Sequence, residues 1–136
     1  MSIRRITPSD APAVPNPMRG AAGRRPNQIS RPLDGTANLV GLDAHRLHAT
    51  DHVEIVHIAL APGQSLVRHA SPVDTAFYII EGDGAIESGS ETAPVRAGEL
   101  IPHPARTMHR MINNTAAPLR FLVIKTPKPT EPPEFE

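Results

Sequence analysis

Two segments with fixed spacing between glycine, proline and polar residues constrain the fold of this chain more than any other feature. They read Gly63-x5-His69-x-Ser71-x3-Thr75-x6-Gly82 and Gly98-x5-Pro104-x-Arg106-x2-His109-x3-Asn113. Each segment begins at a glycine, continues into a stretch that carries a histidine, and ends at a residue suited to a turn. Such spacing is typical of short strands joined by tight turns, since glycine accepts turn conformations that other residues avoid.

Short apolar runs recur from the middle of the chain onward, and many contain β-branched residues. They occupy residues 37–42, 53–60, 76–80, 84–87, 99–101, 108–112 and 119–125. No stretch keeps an apolar period of 3.6 residues over three turns, which argues against a substantial helix. The pattern predicts an all-β sandwich or barrel. The Asp83-Gly84 step between two of these runs predicts a hairpin.

The paired segments resemble the two motifs of the cupins, G-x5-H-x-H-x(3,4)-E-x6-G and G-x5-P-x-G-x2-H-x3-N. The resemblance covers residues 53–125 and keeps the spacing of both motifs. It implies a double-stranded β-helix, the jelly-roll or cupin barrel, whose interior holds ligands. Three motif positions differ: Ser71 replaces a histidine, Thr75 replaces the glutamate and Arg106 replaces a glycine.

The prolines divide the chain into three parts. Sixteen prolines are present, and they concentrate near the two ends. Proline cannot donate a hydrogen bond to a sheet or continue a helix, so these ends are predicted to lie outside the barrel. We therefore expect an extended Pro/Arg-rich arm over residues 1–35, a barrel over residues 36–126 and a mobile Pro/Glu-rich tail over residues 127–136.

Composition excludes several classes of function and partner. The formal net charge is zero, so we expect neither a nucleic-acid partner nor an anionic membrane partner. The absence of cysteine excludes disulfides, zinc–thiolate sites and a cysteine nucleophile. No long apolar run or signal peptide is present, which favours a cytoplasmic location. The resemblance to cupins implies a homodimer, with strand exchange through residues 29–42.

Strand alternation indicates which side chains meet inside the predicted barrel. Residues i and i+2 of a strand share a face, so His69 and Ser71 should point inward together. The resemblance implies that Thr75 joins them from the next strand and that His109 faces them. It also implies that His69 and His109 are metal ligands, for Fe, Mn, Ni or Zn. A metal-free polar pocket formed by the same four residues is the alternative, since buried histidines often only accept or donate hydrogen bonds.

Two histidines are too few for a firm metal site, so three further side chains are candidate donors. His57 is expected to line the interior from the preceding strand, on the face that also carries Ile55 and Ala59. Asp74 adjoins the position of the lost glutamate, although alternation aims it away from Thr75. His103 precedes the proline of the second motif and is expected near the barrel mouth.

The remaining pocket candidates are one aromatic and one basic residue. Phe77 is expected in the core or on the pocket wall. Arg106 is expected to lean over the barrel mouth beside Arg68 and Arg110, where the three would suit a carboxylate-bearing ligand. Ordinary surface salt bridges are the competing interpretation of these arginines.

Three functions are compatible with these observations. The first is a small barrel that binds a small polar or carboxylate-bearing molecule, with enzymatic activity left open. The second is a metal-dependent enzyme of the isomerase, decarboxylase or dioxygenase class that uses His69 and His109. The third is a dimeric sensor or interaction module that docks a partner through the arm. The fold alone does not name the substrate.

Overall fold

The structure is a computed structural model that describes residues 3–11, the backbone of residues 31–32, and residues 42–136. Within these ranges the chain forms strands joined by turns, with one short 3₁₀ helix. The elements are the 3₁₀ helix Pro8–Asp10 and the strands β1 Arg31–Pro32, β2 Asp43–Ala49, β3 Glu54–Leu60, β4 His69–Ala70, β5 Asp74–Glu81, β6 Asp83–Ser88, β7 Glu91–Arg96, β8 Leu100–His103, β9 His109–Ile112, β10 Leu119–Thr126 and β11 Glu134–Phe135.

Two sheets face each other and form a double-stranded β-helix, as the sequence predicted. The first sheet has the order β1-β2-β3-β10-β5-β8, and the second has the order β11-β4-β9-β6-β7. Large side chains from both sheets fill one end of the space between them, and each stabilises the fold by about 1.5–3 kcal/mol through burial. The largest of these are Phe77, Phe121, Leu60, Ile79, Ile86, Ile101, Met111 and Leu119.

The strand β10 lies at the centre of the first sheet and fixes its register. It pairs antiparallel with β3 on one side and with β5 on the other. Lys125 consequently lies opposite Glu54 on β3 and opposite Thr75 on β5. Along β3 the buried residues alternate, so Glu54, Val56, Ile58 and Leu60 share the interior face.

Six of the seven predicted apolar runs coincide with strands, and among the strands longer than two residues two were missed. The seventh run, 37–42, lies outside the described residues except for Leu42. The missed strands are β2, in which only Ala44 is buried, and β7, which contains Pro94. The strand β7 tolerates a proline because it lies at the edge of its sheet, where one backbone side is unpaired.

The turn at Gly82 changes sheets, so the predicted hairpin at this position is wrong. The strand β5 before it belongs to the first sheet, and β6 after it belongs to the second. Gly82 has a φ of 92°, and a Cβ placed on it would lie 2.3 Å from the carbonyl oxygen of Pro118. The turn is thus pressed against the connection between β9 and β10. The real hairpin is the next one, between β6 and β7.

The tail after Thr126 was predicted to be mobile, and the structure instead folds it onto the barrel. We call residues 129–136 the strap. Its strand β11 pairs with β4, with Glu134 opposite Ala70 and Phe135 opposite His69. The backbone N–H of Glu136 also donates to the carbonyl of Arg68 at 3.1 Å. The prolines of the strap end at Pro133, so the residues after it have free N–H groups for a sheet.

Part of the N-terminal arm also lies on the barrel. Ile6 exchanges two backbone hydrogen bonds with Leu100 on the edge strand β8, at 2.8 and 2.6 Å. Residues 12–30 and 33–41 lie outside the described residues, so strand exchange through 29–42, dimer formation and docking of a partner by the arm stay predictions. None of the described helical segments is long and apolar enough to cross a membrane.

Candidate functional site

A cavity of about 380 Å³ lies inside the barrel, and the strap lines part of its outer side. Its volume and its mainly apolar wall are those of a pocket for a small organic molecule. Both sheets contribute to the wall, through Val56, Ile58, Leu66, Val67, His69, Ser71, Pro72, Thr75, Phe77, His109, Val123 and Lys125. The strap contributes Pro129, Glu131, Pro132, Pro133 and Phe135.

His69 and His109 form a cross-strand pair between β4 and β9, with their ring centroids 4.5 Å apart. Nδ1 of His69 donates to the carbonyl of Val67 at 2.7 Å, and Nδ1 of His109 donates to the carbonyl of Thr107 at 3.1 Å. A carbonyl only accepts, so the proton of each neutral ring lies on Nδ1. Each Nε2 is then a hydrogen-bond acceptor, and no described residue donates to either one.

His103 continues this row of rings toward the first sheet. Its centroid lies 4.2 Å from that of His109, and its Nε2 shares a 2.9 Å hydrogen bond with Oγ of Ser88. Its Nδ1 is buried and has no well-aligned hydrogen bond to a described residue. Burial lowers the pKa of His103, and the nearby Pro104 carbonyl opposes this by raising it. His103 does not contribute to the cavity wall, so its role is to support His109 from behind.

Burial keeps the three imidazoles uncharged. Burial is the largest of the causes that lower the pKa of His109 to about 3, followed by the neighbouring rings of His69 and His103. Burial is also the main cause that lowers the pKa of His69 and of His103. The row is therefore neutral at neutral pH, and the cavity presents imidazole acceptors in place of imidazolium donors.

Stability should fall in acid because of this row. Between the folded pKa of about 3 and the ordinary value of 6.5, the unfolded chain protonates His109 and the folded chain does not. The unfolded state then binds more protons, so the unfolding free energy decreases as pH falls, with a slope approaching about 1.4 kcal/mol per pH unit from His109. Urea unfolding between about pH 4.5 and pH 7.5 measures this slope.

Paired acidic groups also lose stability in acid, so a matched variant isolates the contribution of the histidine. The His109→Gln protein should show a shallower slope, whereas the exposed-site variant His52→Gln should keep the slope of the wild type. Identical slopes for the wild type and His109→Gln would show that His109 is protonated equally in both states.

Ser71 and Thr75 place hydroxyl groups where the cupin motif has metal ligands. Both side chains are nearly buried and contribute to the cavity wall. Oγ of Ser71 accepts from the backbone N–H of Val73 at 3.2 Å. Oγ1 of Thr75 donates to the carbonyl of Val73 at 3.4 Å. The Ser71 hydroxyl therefore retains its proton for a ligand, and Thr75 retains acceptor capacity. Phe77 lies behind them, with its ring 5.3 Å from that of His109.

The prediction that His57 lines the interior is wrong. The interior face of β3 is the one that carries Glu54 and Val56, so His57 lies on the outer face. There Nε2 of His57 accepts from Nε of Arg120 at 3.1 Å. Asp74 is exposed, and its carboxylate accepts from the backbone N–H of Ala105 at 2.9 Å, as alternation suggested. Neither residue reaches the cavity wall.

Arg106 keeps the backbone conformation of the glycine that it replaces. Its φ is 65°, and its N–H donates to the carbonyl of Ser71 at 2.7 Å. Its exposed side chain pairs with Glu131 of the strap at 3.0 Å. Arg68 and Arg110 both pair with Glu87, at 3.4 and 2.7 Å. The three arginines predicted at the mouth therefore all have acidic partners, and none contributes to the main cavity wall.

The cation that does reach the cavity is Lys125, which the sequence analysis did not select. It follows Phe121 and Val123 at two-residue steps on β10, so alternation places it on the interior face. Its Nζ lies 3.5 Å from Oε1 of Glu54, and its charge lowers the pKa of His69 and His109. The two-residue spacing from Phe121 and Val123 is the sequence signal that could have identified it.

The donors around the cavity do not fit the metal centre that the cupin motif implies. Among the described residues, no three histidine, aspartate or glutamate side chains are arranged to hold a metal ion. The Nε2 of His103 is engaged with Ser88, and both His57 and Asp74 face away from the cavity. Two imidazoles, two hydroxyls and the exposed carboxylate of Glu131, which pairs with Arg106, remain, a set too poor in nitrogen donors and in free negative charge for Fe, Mn, Ni or Zn.

The fold and the cavity define a small double-stranded β-helix protein with an interior cavity. The chain belongs to the cupin domain family, whose match spans residues 56–125. Among curated proteins, none matches the sequence closely enough to indicate a relative.

Several solved structures share the fold at low sequence identity. A double-stranded β-helix protein from Klebsiella pneumoniae is 19% identical, with 77% of this chain and 88% of that chain covered at a TM-score of 0.65. An RmlC-like cupin from Methanocaldococcus jannaschii is 22% identical, and the match covers 74% of this chain and 90% of that chain at a TM-score of 0.62. The polyketide cyclase RemF from Streptomyces resistomycificus is 20% identical, and the match covers 71% of each chain at a TM-score of 0.63. Likeness at these identities shows the fold alone.

Proposed function

We propose that this cupin binds a small organic molecule in its barrel through neutral hydrogen-bonding groups, without a metal. The observation that carries the proposal is the strap-lined cavity of about 380 Å³, into which two imidazoles and two hydroxyls project from a mainly apolar wall. A pocket with a large apolar surface and a few placed polar groups is the usual form of a small-molecule site.

The polar groups define what the ligand must carry. The Nε2 atoms of His69 and His109 accept hydrogen bonds, so they recognise an O–H or N–H group of a ligand. The hydroxyls of Ser71 and Thr75 lie on the same wall and can donate or accept. The side chains of Val56, Val123 and Phe77 form an apolar part of the wall that suits the apolar part of a ligand. The ligand is therefore a mainly apolar molecule with at least one hydrogen-bond donor.

Removal of the two hydroxyls should weaken binding. The double variant Ser71→Ala/Thr75→Val preserves shape and loses two hydrogen-bonding groups, each worth about 0.5–1.5 kcal/mol, so affinity should fall by roughly 5- to 150-fold. Calorimetry with 3-(4-hydroxyphenyl)propionate, which combines an apolar ring with a hydroxyl, measures the change.

A matched double variant on the surface is the control. Ser90→Ala/Thr92→Val makes the same chemical changes at exposed positions of the β6–β7 hairpin and should bind the probe as the wild type does. Equal affinities for the two double variants would remove Ser71 and Thr75 from the site. A wild-type protein that binds no hydroxylated aromatic probe would contradict the proposed function.

The metal-dependent enzyme remains the rival function, because cupins with a full ligand set are metalloproteins. It predicts about one equivalent of Fe, Mn, Ni or Zn in protein purified from metal-supplemented growth, and loss of that metal in His69→Ala. Our proposal predicts a content well below one equivalent in both proteins. Elemental analysis of the freshly purified chain distinguishes the two.

A further inference from the structure

The charged side chains around the cavity carry a net positive charge. Lys125 and Glu131 are the charged residues of its wall. Glu131 is exposed and already pairs with Arg106 at 3.0 Å. On the opposite side, the buried carboxylate of Glu54 takes Nε of Arg46 at 3.1 Å and Nζ of Lys125 at 3.5 Å. One carboxylate thus faces two cations, and this cluster keeps one net positive charge.

The side chain of Lys125 is the part of this cluster that borders the cavity. Lys125 contributes to the cavity wall, whereas Glu54 and Arg46 do not. A molecule inside the barrel therefore contacts the side chain of Lys125 without contacting that of Glu54. The closer partner of Glu54 is Arg46, so Glu54 stays paired when Lys125 turns to a second anion. A cation beside a mainly apolar cavity attracts an anion more strongly than the same cation in water.

We propose that Lys125 is the anion-binding residue of this cavity and that it selects ligands with one carboxylate on an apolar body. This inference rests on the proposed function and adds a second recognition point to it. The neutral Nε2 atoms of His69 and His109 cannot donate to a carboxylate, and the Ser71 hydroxyl is an uncharged donor, so the charged Lys125 is the strongest partner for a carboxylate. The imidazoles accept from a separate hydroxyl. The ligand class is thus an apolar hydroxy acid.

Four probes separate the two recognition points. They are 3-phenylpropionate, 3-(4-hydroxyphenyl)propionate and the amides of both acids, which differ only in the charge and in the hydroxyl. The wild type should bind each acid at least tenfold more tightly than its amide, since hydrogen bonds to charged groups are the stronger ones. It should also prefer the hydroxylated member of each pair. Isothermal titration calorimetry at constant ionic strength gives the four affinities.

Variants of Lys125 should erase only the preference for acids. In Lys125→Met the acid and the amide should bind equally, and the preference for the hydroxyl should remain. Lys125→Arg should restore most of the preference for the acid. Lys128→Met makes the same change in net charge outside the cavity wall and should behave as the wild type. Thermal unfolding of all three variants confirms that each is folded.

The outcomes separate failure of this inference from failure of the proposed function. If the wild type binds acids and amides equally, or if Lys125→Met keeps a tenfold preference for acids, Lys125 is not the anion-binding residue and the proposed function stands. If Lys128→Met loses the preference as completely as Lys125→Met, the effect belongs to net charge and the inference fails. If the wild type binds none of the four probes, the proposed function itself fails.

Discussion

Replacing Gly82 with alanine is expected to lower the unfolding free energy by more than about 4 kcal/mol, enough to unfold a marginal domain. The alanine Cβ would lie 2.3 Å from the carbonyl oxygen of Pro118 and 3.2 Å from Cα of Leu119. Both are backbone atoms, so no side chain can rotate to make room. The φ of 92° adds strain for any residue with a Cβ. Urea unfolding followed by circular dichroism measures the loss.

Gly63 provides a control that separates strain from collision. Its φ of 79° is also in the left-handed region, but a Cβ on it would meet nothing within 4 Å. Gly63→Ala should therefore cost only the conformational strain, about 1–2 kcal/mol. If the two variants lost equal stability, the contact between the Gly82 turn and Pro118 would contribute nothing to the fold.

Deleting the strap, residues 129–136, is expected to weaken ligand binding by about seventyfold. The strap forms part of the outer wall of the cavity through Phe135 and several prolines. If it covers about 100 Å² of apolar ligand surface, its loss costs about 2.5 kcal/mol, which corresponds to that factor. The truncated barrel should remain folded, because the buried core is made by residues before Thr126. Calorimetry with 3-(4-hydroxyphenyl)propionate tests the affinity, and thermal unfolding tests the fold.

A variant that keeps the strap but weakens its ion pairs should give an intermediate result. Glu131 pairs with Arg106 and Glu136 pairs with Arg68, each at 3.0 Å, and all four side chains are partly exposed. Surface pairs contribute about 0–1 kcal/mol each, so Glu131→Gln/Glu136→Gln should weaken binding by less than about thirtyfold. Wild-type affinity in the deleted protein would show that the strap does not cover the ligand.

The sequence was sufficient to predict the fold because the residues that shape the barrel act locally. Glycines at positions 63, 82 and 98 take the left-handed conformations that their turns require. Arg106 also adopts a positive φ, although arginine has no preference for it. The surrounding turn therefore determines the backbone there, through the hydrogen bond from Arg106 to the carbonyl of Ser71. Pairing between sheets was harder to predict, as the turn at Gly82 shows.

The site was only partly predictable, for physical reasons that differ between residues. His57 was assigned to the wrong face because both faces of β3 carry apolar side chains, and only the partner strands decide which one is buried. Lys125 obeys simple alternation, but its interior position depends on pairing with Glu54, which is distant in the sequence. The strap had no local signal at all, because proline-rich segments look the same whether they are docked or free.

The docked strap is also the last part of the cavity wall to be synthesised. Val56 and Ile58 of its wall are made early, whereas Phe135 emerges from the ribosome about eighty residues later. The barrel itself needs its central strand β10, which ends at Thr126, so the barrel is open on that side while the next nine residues are made, for about 0.5–2 seconds at about 5–20 residues per second. A ligand present during this interval can enter before the wall exists. The ligand that we propose would thus enter a nascent chain more easily than the finished protein.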